Sequence, residues 1–510
     1  MSRLSSVDSS FLRVESANAH MHVGWMSLLE LPPAVQRFDL DELRRRIAGR
    51  LHLLPRFRQR ITPIPLGAGE PVWRDDPEFE LGYHVRELPP AFAARGVRRA
   101  ADAFFTYPLR RDRPLWEIAV IPRLADGRAA ILGKLHHAMV DGVAAVELGM
   151  LLFDAAADAP ASPPERWLPA PTEGQARLAL DAVADTALEQ FRATRRAVGL
   201  ARSPAQTVRV AGTLRRAAFS IAEDALRPAP PSYLNVDIGP TRTVVAHRVD
   251  LGRLLDLKTR LGVKLNDVVL ATCAGALRHF ALDRGEPAVD LRVMVPVNVR
   301  RPGEDTHGAG NKITLGFVEL PVGSDRAEER VRRVVEAMNA LKHDGRLDGN
   351  SMLLSAAGML PDPLKDRAAR FAASPRLYNL TISNVPGPRV PLYACGARVH
   401  SIHPVIPIPE RHALSIGVLT YNGAANFGIY ADPRAIPRAD ALTIALEDDL
   451  IELEAMARHG GRVTDRRPHA EAPPEASLEA RPEARPDGRS ARTRGAARRR
   501  RPGVAAEPVR

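Results

Sequence analysis

The sequence predicts an α/β protein of two domains, in which mixed sheets are flanked by helices and the two halves are joined by a helical crossover. Its 510 residues exceed what a single hydrophobic core usually holds. Strand and helix patterns alternate at first and begin again at about residue 240, after a Pro-rich break and a basic helical stretch. The expected divisions are an N-terminal domain, a crossover, a C-terminal domain and a tail, at residues 1–171, 172–239, 240–460 and 461–510.

The first half alternates strands with helices. MHVGWMSLLEL predicts a strand, and DLDELRRRIAGRLHLLP predicts an amphipathic helix. WEIAVIPRL and AAILGKLHH bracket the turn ADGR and predict a hairpin. After Asp141-Gly142, VAAVELGMLLFDAA predicts a helix. The second strand of the hairpin therefore leads through a short turn into an apolar helix.

The second half repeats this alternation. LNDVVLATCAGALRHFAL predicts a helix that follows Asn266, and ALSIGVLTYNGAANFGIYAD predicts a hairpin that turns at Asn422-Gly423. A last helix is expected at about 437–458, and the Arg-, Pro- and Ala-rich tail is expected to be disordered. Further strands are predicted for TRTVVAHRVD, LRVMVPVNVR, NKITLGFVELPV and LYNLTISNVPG.

Composition excludes several classes of protein. The net charge of +12 does not indicate nucleic-acid binding, because half of it lies in the tail and aromatic residues, at 5%, offer little for base stacking. Cys273 and Cys395 lie far apart without metal-ligand spacing, which predicts two free thiols. No apolar run is long enough to span a bilayer, and the start does not resemble a secretory signal. We expect a cytoplasmic protein of unknown oligomeric state.

The crossover is basic, and two interpretations of it stay open. It is either a solvated helical connection or an interfacial helix whose arginines meet the anionic lipid of a membrane or droplet surface. Its arginines are Arg192, Arg195, Arg196, Arg202, Arg209, Arg215 and Arg216.

The segment that carries chemistry is the strand-to-helix turn from Lys134 to Gly142, with His136, His137 and Asp141. An imidazole, with an ordinary pKa of about 6.5, suits the removal of a hydroxyl proton. From the spacing alone three interpretations stay open: a catalytic histidine, a structural loop in which Asp141 caps the next helix, and half of a metal site. We expect no metal, since two adjacent histidines do not easily bind one ion.

Other sequence blocks stand along the chain in a fixed order. They are Ser6-Val7-Asp8 with Phe11, Met21-His22-Val23-Gly24, Pro114-Leu115-Trp116-Glu117, Asn266-Asp267, Gly310-Asn311 and Asn384-Val385-Pro386-Gly387-Pro388. With HHAMVDG as an HHxxxDG motif, they resemble the bacterial wax ester synthase/diacylglycerol acyltransferase family over roughly residues 4–458. HHxxxDG alone also occurs in condensation domains and other chloramphenicol-acetyltransferase-like enzymes, so the ordered blocks narrow the choice. The segment at Pro89-Pro90-Ala91 departs from the family's Pro-Gly pair.

The resemblance implies two chloramphenicol-acetyltransferase-like domains with the active site between them. His137 is then the general base, His136 supports the loop, and Asp141, followed by Gly142, has a structural role for which Arg300 is the candidate partner. The alcohol attacks acyl-CoA directly, so acyl-CoA is a substrate and no resident cofactor is expected.

The negative charge of the tetrahedral intermediate needs hydrogen-bond donors. Asn266 is a candidate through the resemblance, but an Asn at a helix start is equally well explained as an N-cap. Asn384 is a second candidate, although the Pro-Gly-Pro after it is also explained as a rigid turn. Trp116 lies in a strand beside apolar residues, which favours core packing over ligand contact.

Three functions were weighed on these patterns. The first is an acyl-CoA-dependent O-acyltransferase that acts on diacylglycerol or a long-chain alcohol at a lipid surface. The second keeps the fold but uses a carrier-bound acyl group, as condensation domains or polyketide-associated acyltransferases do. The third is a non-enzymatic protein that binds a lipid surface. The ordered blocks favour the first, and the intact His136, His137 and Asp141-Gly142 disfavour the third.

Overall fold

Two six-stranded sheets with flanking helices form the described part of the chain in this computed structural model. The described residues are 2–65, 69–139, 151–171, 227–298, 313–343 and 362–460, with isolated positions between 149 and 215. Both large sheets contain parallel and antiparallel neighbours, so the predicted class of mixed sheets flanked by helices is confirmed. A third, smaller sheet has three strands in the order β1 (Ser2–Arg3), β4 (Val72–Asp75) and β3 (Gln59–Thr62).

The first large sheet has the strand order β12-β13-β2-β7-β6-β5. Its central pair, β2 and β7, is antiparallel, and β7 also forms the predicted hairpin with β6. The bounds are β2 (His22–Glu30), β5 (Val85–Glu87), β6 (Trp116–Ile121), β7 (Ala129–His136), β12 (Tyr393–Ala394) and β13 (Ala397–Val405).

The second large sheet has the order β10-β9-β11-β14-β15-β8. β11 runs parallel to both of its neighbours, and the remaining pairs are antiparallel. The predicted hairpin turns at Asn422 and Gly423, whose φ angles of 42° and 76° suit a tight hairpin turn. The bounds are β8 (Thr243–Asp250), β9 (Leu291–Asn298), β10 (Ile313–Leu320), β11 (Leu380–Pro386), β14 (Leu414–Tyr421) and β15 (Ala424–Ala431).

Helices cover the sheets. The sequence predicted the helices that the structure has at 40–50, 265–283 and 441–458, whereas the other described helices were not anticipated. The bounds are α1 (Ser6–Val14), α2 (Leu40–Arg50), α3 (Leu81–His84), α4 (Pro90–Ala93), α5 (Val97–Thr106), α6 (Leu251–Leu261), α7 (Leu265–Asp283), α8 (Ala327–His343), α9 (Asp362–Ala372) and α10 (Ala441–Arg458).

Helix α5 joins the two sheets into one structure. Its Phe104 and Phe105 belong to a hydrophobic core that continues from the first sheet into the second, and Phe105 lies edge-on to Tyr430 of β15. Its Asp102 accepts hydrogen bonds from Thr243 Oγ1 and from the backbone N–H of Val244, at 3.0 and 2.8 Å. The buried face of α5 therefore holds β8 against the first half of the chain.

One strand is exchanged between the halves. β13 follows the start of the second half by more than 150 residues, yet it pairs with β2, from Val405 opposite Gly24 to Arg398 opposite Glu30. The first sheet is therefore completed by residues that the sequence assigned to the C-terminal domain.

Candidate active site

The turn after β7 places His136 and His137 at the end of the paired central strands β2 and β7. His136 is the last residue of β7 and pairs with His22 of β2, and His137 begins a short 3₁₀ turn, His137–Met139. The backbone N–H of His136 donates to the carbonyl of Leu115, and that of His137 donates to the carbonyl of Met21, both at 2.9 Å. These bonds fix the backbone of the turn on both sides of the first histidine.

The ring of His137 is held by an aromatic stack. Its centroid lies 3.7 Å from that of Phe11 in α1, with an angle of 14° between the rings. Nδ1 is enclosed by protein and has no hydrogen-bond partner among the described residues, and the residue as a whole is only partly buried. Burial lowers the pKa of His137 to about 4, against a smaller raising effect of its own backbone carbonyl. The ring is therefore neutral at physiological pH.

His136 is buried, and its ring is hydrogen-bonded to the backbone of the turn. Its Nδ1 accepts a hydrogen bond from the backbone N–H of Ala138 at 3.0 Å, so the neutral ring carries its proton on Nε2. That Nε2 has no hydrogen-bond partner among the described residues and lies 3.7 Å from Oε2 of Glu15, at the C-terminal end of α1. Burial, assisted by the positive charge of Arg111, lowers the pKa of His136 to about 3.

Lys134 is a buried cation two residues before His136. Its Nζ donates to the carbonyls of Phe104 and Tyr107 at 2.9 and 2.7 Å, at the C-terminal end of α5, where a positive charge is favourable. Burial lowers the pKa of Lys134 to about 8, although Glu117, at 3.8 Å, opposes this. Lys134 thus connects β7, the strand that ends at the histidine pair, to α5, the helix that joins the two sheets.

Two glycines permit the close packing around this strand. A Cβ at Gly24 would lie 2.4 Å from the ring of Phe105, and one at Gly133 would lie 1.9 Å from the ring of Trp25. Real Cβ atoms essentially never approach so closely, so each position requires glycine for steric reasons. The glycine of the MHVG block therefore allows α5 to pack on β2.

Asn266 and Asn384 come together in the second sheet. Asn384, near the end of β11, donates through Nδ2 to Oδ1 of Asn266 at 3.2 Å, which leaves the Nδ2 group of Asn266 without a partner among the described residues. The N-cap interpretation of Asn266 is wrong, because α7 begins at Leu265 with Lys264 as its N-cap. Asp267 instead accepts the backbone N–H of Lys264 at 3.0 Å. No hydrogen bond in the described part of the chain links the asparagine pair to His137.

Several predicted residues lie outside the described residues: Asp141, Gly142, Arg300, Gly310, Asn311, the crossover arginines except for isolated positions, and the tail. The helix expected after Gly142 is described only at Gly149 and Leu151–Leu152. Among the described residues, no group of three or more His, Cys, Asp or Glu could hold a metal ion. Both cysteines are free thiols, and no described helix is long and apolar enough to cross a membrane.

Trp116 packs in the core, as predicted. It is 1% exposed, its Nε1 donates to the carbonyl of Phe57 at 2.8 Å, and its ring stacks on His84. Pro90, at the departure from the family pattern, begins the short helix α4. Two residues that contact the histidines, Phe11 and Glu15, were not recognised as site residues from the sequence, since both lie on a helix that was not predicted.

Two segments of the chain match domains of one family. Residues 4–269 match the wax ester synthase/diacylglycerol acyltransferase catalytic domain, and residues 309–454 match the C-terminal domain of the same enzymes. The chain belongs to the wax ester synthase/diacylglycerol acyltransferase family. It is therefore an O-acyltransferase.

Relatives of known name span nearly the whole chain. A probable diacylglycerol O-acyltransferase of Mycobacterium tuberculosis (tgs2) is 33% identical over 458 residues, which make up 88% of this chain and 97% of the relative. A second one from the same organism (tgs1) is 33% identical over 483 residues, which make up 92% of this chain and 98% of the relative.

Two solved structures illustrate the similarity of this chain to known folds. The wax ester synthase/diacylglycerol acyltransferase from Marinobacter aquaeolei is 26% identical, with a TM-score of 0.63 over 90% of this chain and 100% of that protein. The starter condensation domain of rhizomide synthetase RzmA, in complex with C8-CoA and Leu-SNAC, is 16% identical, with a TM-score of 0.54 over 90% of this chain and 95% of that domain. The fold expected from the HHxxxDG motif is thereby confirmed.

Proposed function

We propose that this acyltransferase moves a fatty acyl group from acyl-CoA to the hydroxyl of diacylglycerol or a long-chain alcohol, giving triacylglycerol or a wax ester. The names of its relatives support both classes of acceptor. The observation that carries the proposal is the state of His137: its imidazole is neutral, the residue is only partly buried, and backbone hydrogen bonds hold the turn that carries it. This is the form of the side chain that can accept a hydroxyl proton.

In the proposed reaction the alcohol oxygen attacks the thioester carbonyl while His137 takes the hydroxyl proton on Nε2. The tetrahedral intermediate collapses, the C–S bond breaks, and the imidazolium protonates the departing CoA thiolate. The products are an ester and CoA–SH, and His137 returns to its neutral form. No acyl-enzyme, metal or resident cofactor takes part in this step.

The low pKa of His137 fits this role when the accompanying charges are considered. A weakly basic group accepts a proton poorly unless the resulting cation is stabilised. Here negative charge develops first on the carbonyl oxygen and then on the thiolate, next to the new imidazolium. The face of Phe11, stacked on the ring, adds a cation–π attraction that exists only while the ring is charged.

The remaining residues of the HHxxxDG motif complete the proposed site. His136 supports the turn by accepting the N–H of Ala138, and so keeps His137 in place. Asp141, followed by Gly142, would orient the loop as a structural residue, with Arg300 as its proposed partner.

Asn266 is the proposed donor to the oxyanion. Asn384 binds its Oδ1, and so fixes the amide with the Nδ2 group free to donate to a substrate oxygen. In this arrangement Asn384 positions the amide, and Asn266 itself contacts the intermediate.

We also propose that the enzyme works at a lipid surface, because its acceptors are insoluble in water. The exposed apolar residues of α9 support this. Leu364 and Phe371 are 44% and 41% exposed, lie seven residues apart and so on one face, and have the exposed Arg367 and Arg370 between them. α9 packs against α1, the helix that contacts His137. Docking through α9 would therefore bring the site close to its acceptor.

The test of activity offers purified protein palmitoyl-CoA with hexadecanol or with dioleoylglycerol and follows the release of CoA. We expect turnover with at least one acceptor, and a loss of about 10²- to 10⁴-fold in His137→Ala, the usual contribution of a general base. The matched control is His52→Ala, which removes an exposed histidine. Wild-type turnover by His137→Ala would falsify the base assignment, and turnover only with palmitoyl bound to a carrier protein would favour the condensation-type reaction.

The test of docking is flotation with liposomes of anionic and of neutral lipid. We expect the wild type to float with anionic liposomes, and the variant Leu364→Ser/Phe371→Ser to remain in the soluble fraction. A second variant, in which Arg192, Arg195 and Arg196 are neutralised, tests the crossover. Equal flotation of the wild type and both variants would count against these two surfaces.

A further inference from the structure

We propose that Glu15 is a positioning residue for the acyl-transfer reaction, and that it acts on His137 through His136. The inference rests on the proposed role of His137 and goes beyond it, because Glu15 lies on a different element and does not touch the reacting atoms. Three features of the described residues support it: the tautomer of His136, the position of Glu15, and the charge of Arg111.

The tautomer of His136 controls the turn. With the proton on Nε2, Nδ1 is free to accept the N–H of Ala138 at 3.0 Å. With the proton on Nδ1, two donors would face each other at that distance and the bond would be lost. The Ala138 bond and the bond from His137 N–H to the Met21 carbonyl hold the backbone on either side of His137. The direction of the His137 ring thus depends on which nitrogen of His136 is protonated.

Glu15 favours the required tautomer. Its Oε2 lies 3.7 Å from His136 Nε2, which has no hydrogen-bond partner among the described residues and is enclosed by protein. This distance exceeds that of a hydrogen bond, so the interaction is an electrostatic attraction between a carboxylate and an N–H. It is effective because the histidine side chain is 1% exposed and the carboxylate only 15% exposed. A proton on Nε2 is therefore favoured over one on Nδ1.

Arg111 balances the charge of Glu15. The two side chains form an ion pair, and the positive charge of Arg111 contributes to lowering the pKa of His136. A lone carboxylate beside a buried imidazole would instead favour the imidazolium. An imidazolium has no free lone pair and could not accept the Ala138 N–H. The Glu15–Arg111 pair thus orients the ring of His136 without charging it.

The position of Glu15 follows from the structure of α1. Ser5 caps the start of this helix by accepting the N–H of Asp8, and Glu15 ends it, with its own N–H donating to the carbonyl of Phe11. One helical turn separates Phe11 from Glu15, so both point toward the catalytic turn, one against each histidine. Helix α1 therefore positions both members of the histidine pair.

The experiment compares Glu15→Leu, which removes the carboxylate, with Glu15→Gln, whose amide oxygen can still accept. We expect kcat to fall about tenfold in Glu15→Leu with little change in KM, and less in Glu15→Gln, as for the loss of a charge-assisted contact. The control is Glu70→Gln. Glu70 binds Arg13 of the same helix and Lys365, but makes no contact with His136, so its loss should leave kcat near the wild-type value.

A mutant cycle and a spectroscopic measurement distinguish positioning from loss of structure. If Glu15 acts through His136, the double variant Glu15→Leu/His136→Gln should be no slower than His136→Gln alone. The ¹⁵N shifts of labelled histidine should report the Nε2–H tautomer of His136 in the wild type, and a mixture in Glu15→Leu. Unchanged kcat, additive effects or an unchanged tautomer would each overturn the proposal. The tautomer can be measured without substrate, so failure of the proposed function alone would leave this result intact.

Discussion

The stack between Phe11 and His137 offers the sharpest test of the mechanism. Phe11→Leu removes the aromatic ring but keeps an apolar side chain of comparable bulk against the imidazole. In the ground state His137 is neutral, so the variant loses only the contact between two rings 3.7 Å apart. During proton transfer the imidazole becomes a cation, and only an aromatic face stabilises it there by a cation–π attraction.

The magnitude follows from the geometry. A cation–π attraction to an aromatic face in such a place is worth about 0.5–2 kcal/mol, toward the upper end when the pair is desolvated. Because this attraction is gained only when the imidazole becomes charged, its loss lowers kcat by about 2- to 30-fold and leaves KM nearly unchanged. Phe11→Tyr keeps an aromatic face over His137 and should retain most of the wild-type rate.

The assay measures kcat and KM with palmitoyl-CoA and the preferred acceptor, with thermal unfolding as a control for structure. The reasoning is refuted if Phe11→Leu keeps the wild-type kcat, or if only KM changes. It is also refuted if Phe11→Tyr is as slow as Phe11→Leu while both variants are folded, because the aromatic face would then be irrelevant.

Three further predictions concern the donor, the core and the pH dependence. Asn266→Asp replaces the free N–H groups by an acceptor and should lower kcat about 100-fold. An unchanged kcat would show that Asn266 does not donate to the oxyanion. In Gly275→Ala the new Cβ would lie 1.5 Å from Oδ1 of Asp449, the carboxylate oxygen that Arg330 binds at 2.8 Å. The free energy of unfolding measured by urea titration should therefore fall by about 3 kcal/mol. An unchanged midpoint of unfolding would contradict this packing. Stability should be complete above about pH 6.5 and fall as the pH drops toward 4, because five histidines have lowered pKa values in the folded protein and are protonated more readily in the unfolded chain. A melting temperature constant from pH 7 to pH 4.5 would contradict the low pKa values of His84, His136, His137, His403 and His412.

Local pattern was sufficient for most of the strands. The largely apolar segments MHVGWMSLLEL and AAILGKLHH predicted β2 and β7, and Asn422-Gly423 predicted the turn between β14 and β15. These features depend on side chains a few residues apart, whose spacing the backbone geometry fixes. The start of α7 was misplaced because Asn is a strong N-cap by itself. The carboxylate of Asp267 instead satisfies the N–H of Lys264, so the helix begins earlier.

The candidate site was predicted only in part. The histidine pair follows from the HHxxxDG motif, whereas the contacts of Phe11 and Glu15 with it do not. Both residues stand more than 100 positions from the turn, in and directly after a helix of only nine residues. Spacing rules describe neighbours along the chain, and they say nothing about which distant helix packs against a turn.

The sequence by itself determined the class of sheet, the position of the histidine pair at the end of a strand, and the family to which the chain belongs. Only the tertiary structure decided that β13 completes the first sheet, that Asn384 binds Asn266, and that α1 packs against both histidines. The physical reason is that periodicity specifies which face of an element is buried, while its partner depends on how all the buried faces fit together.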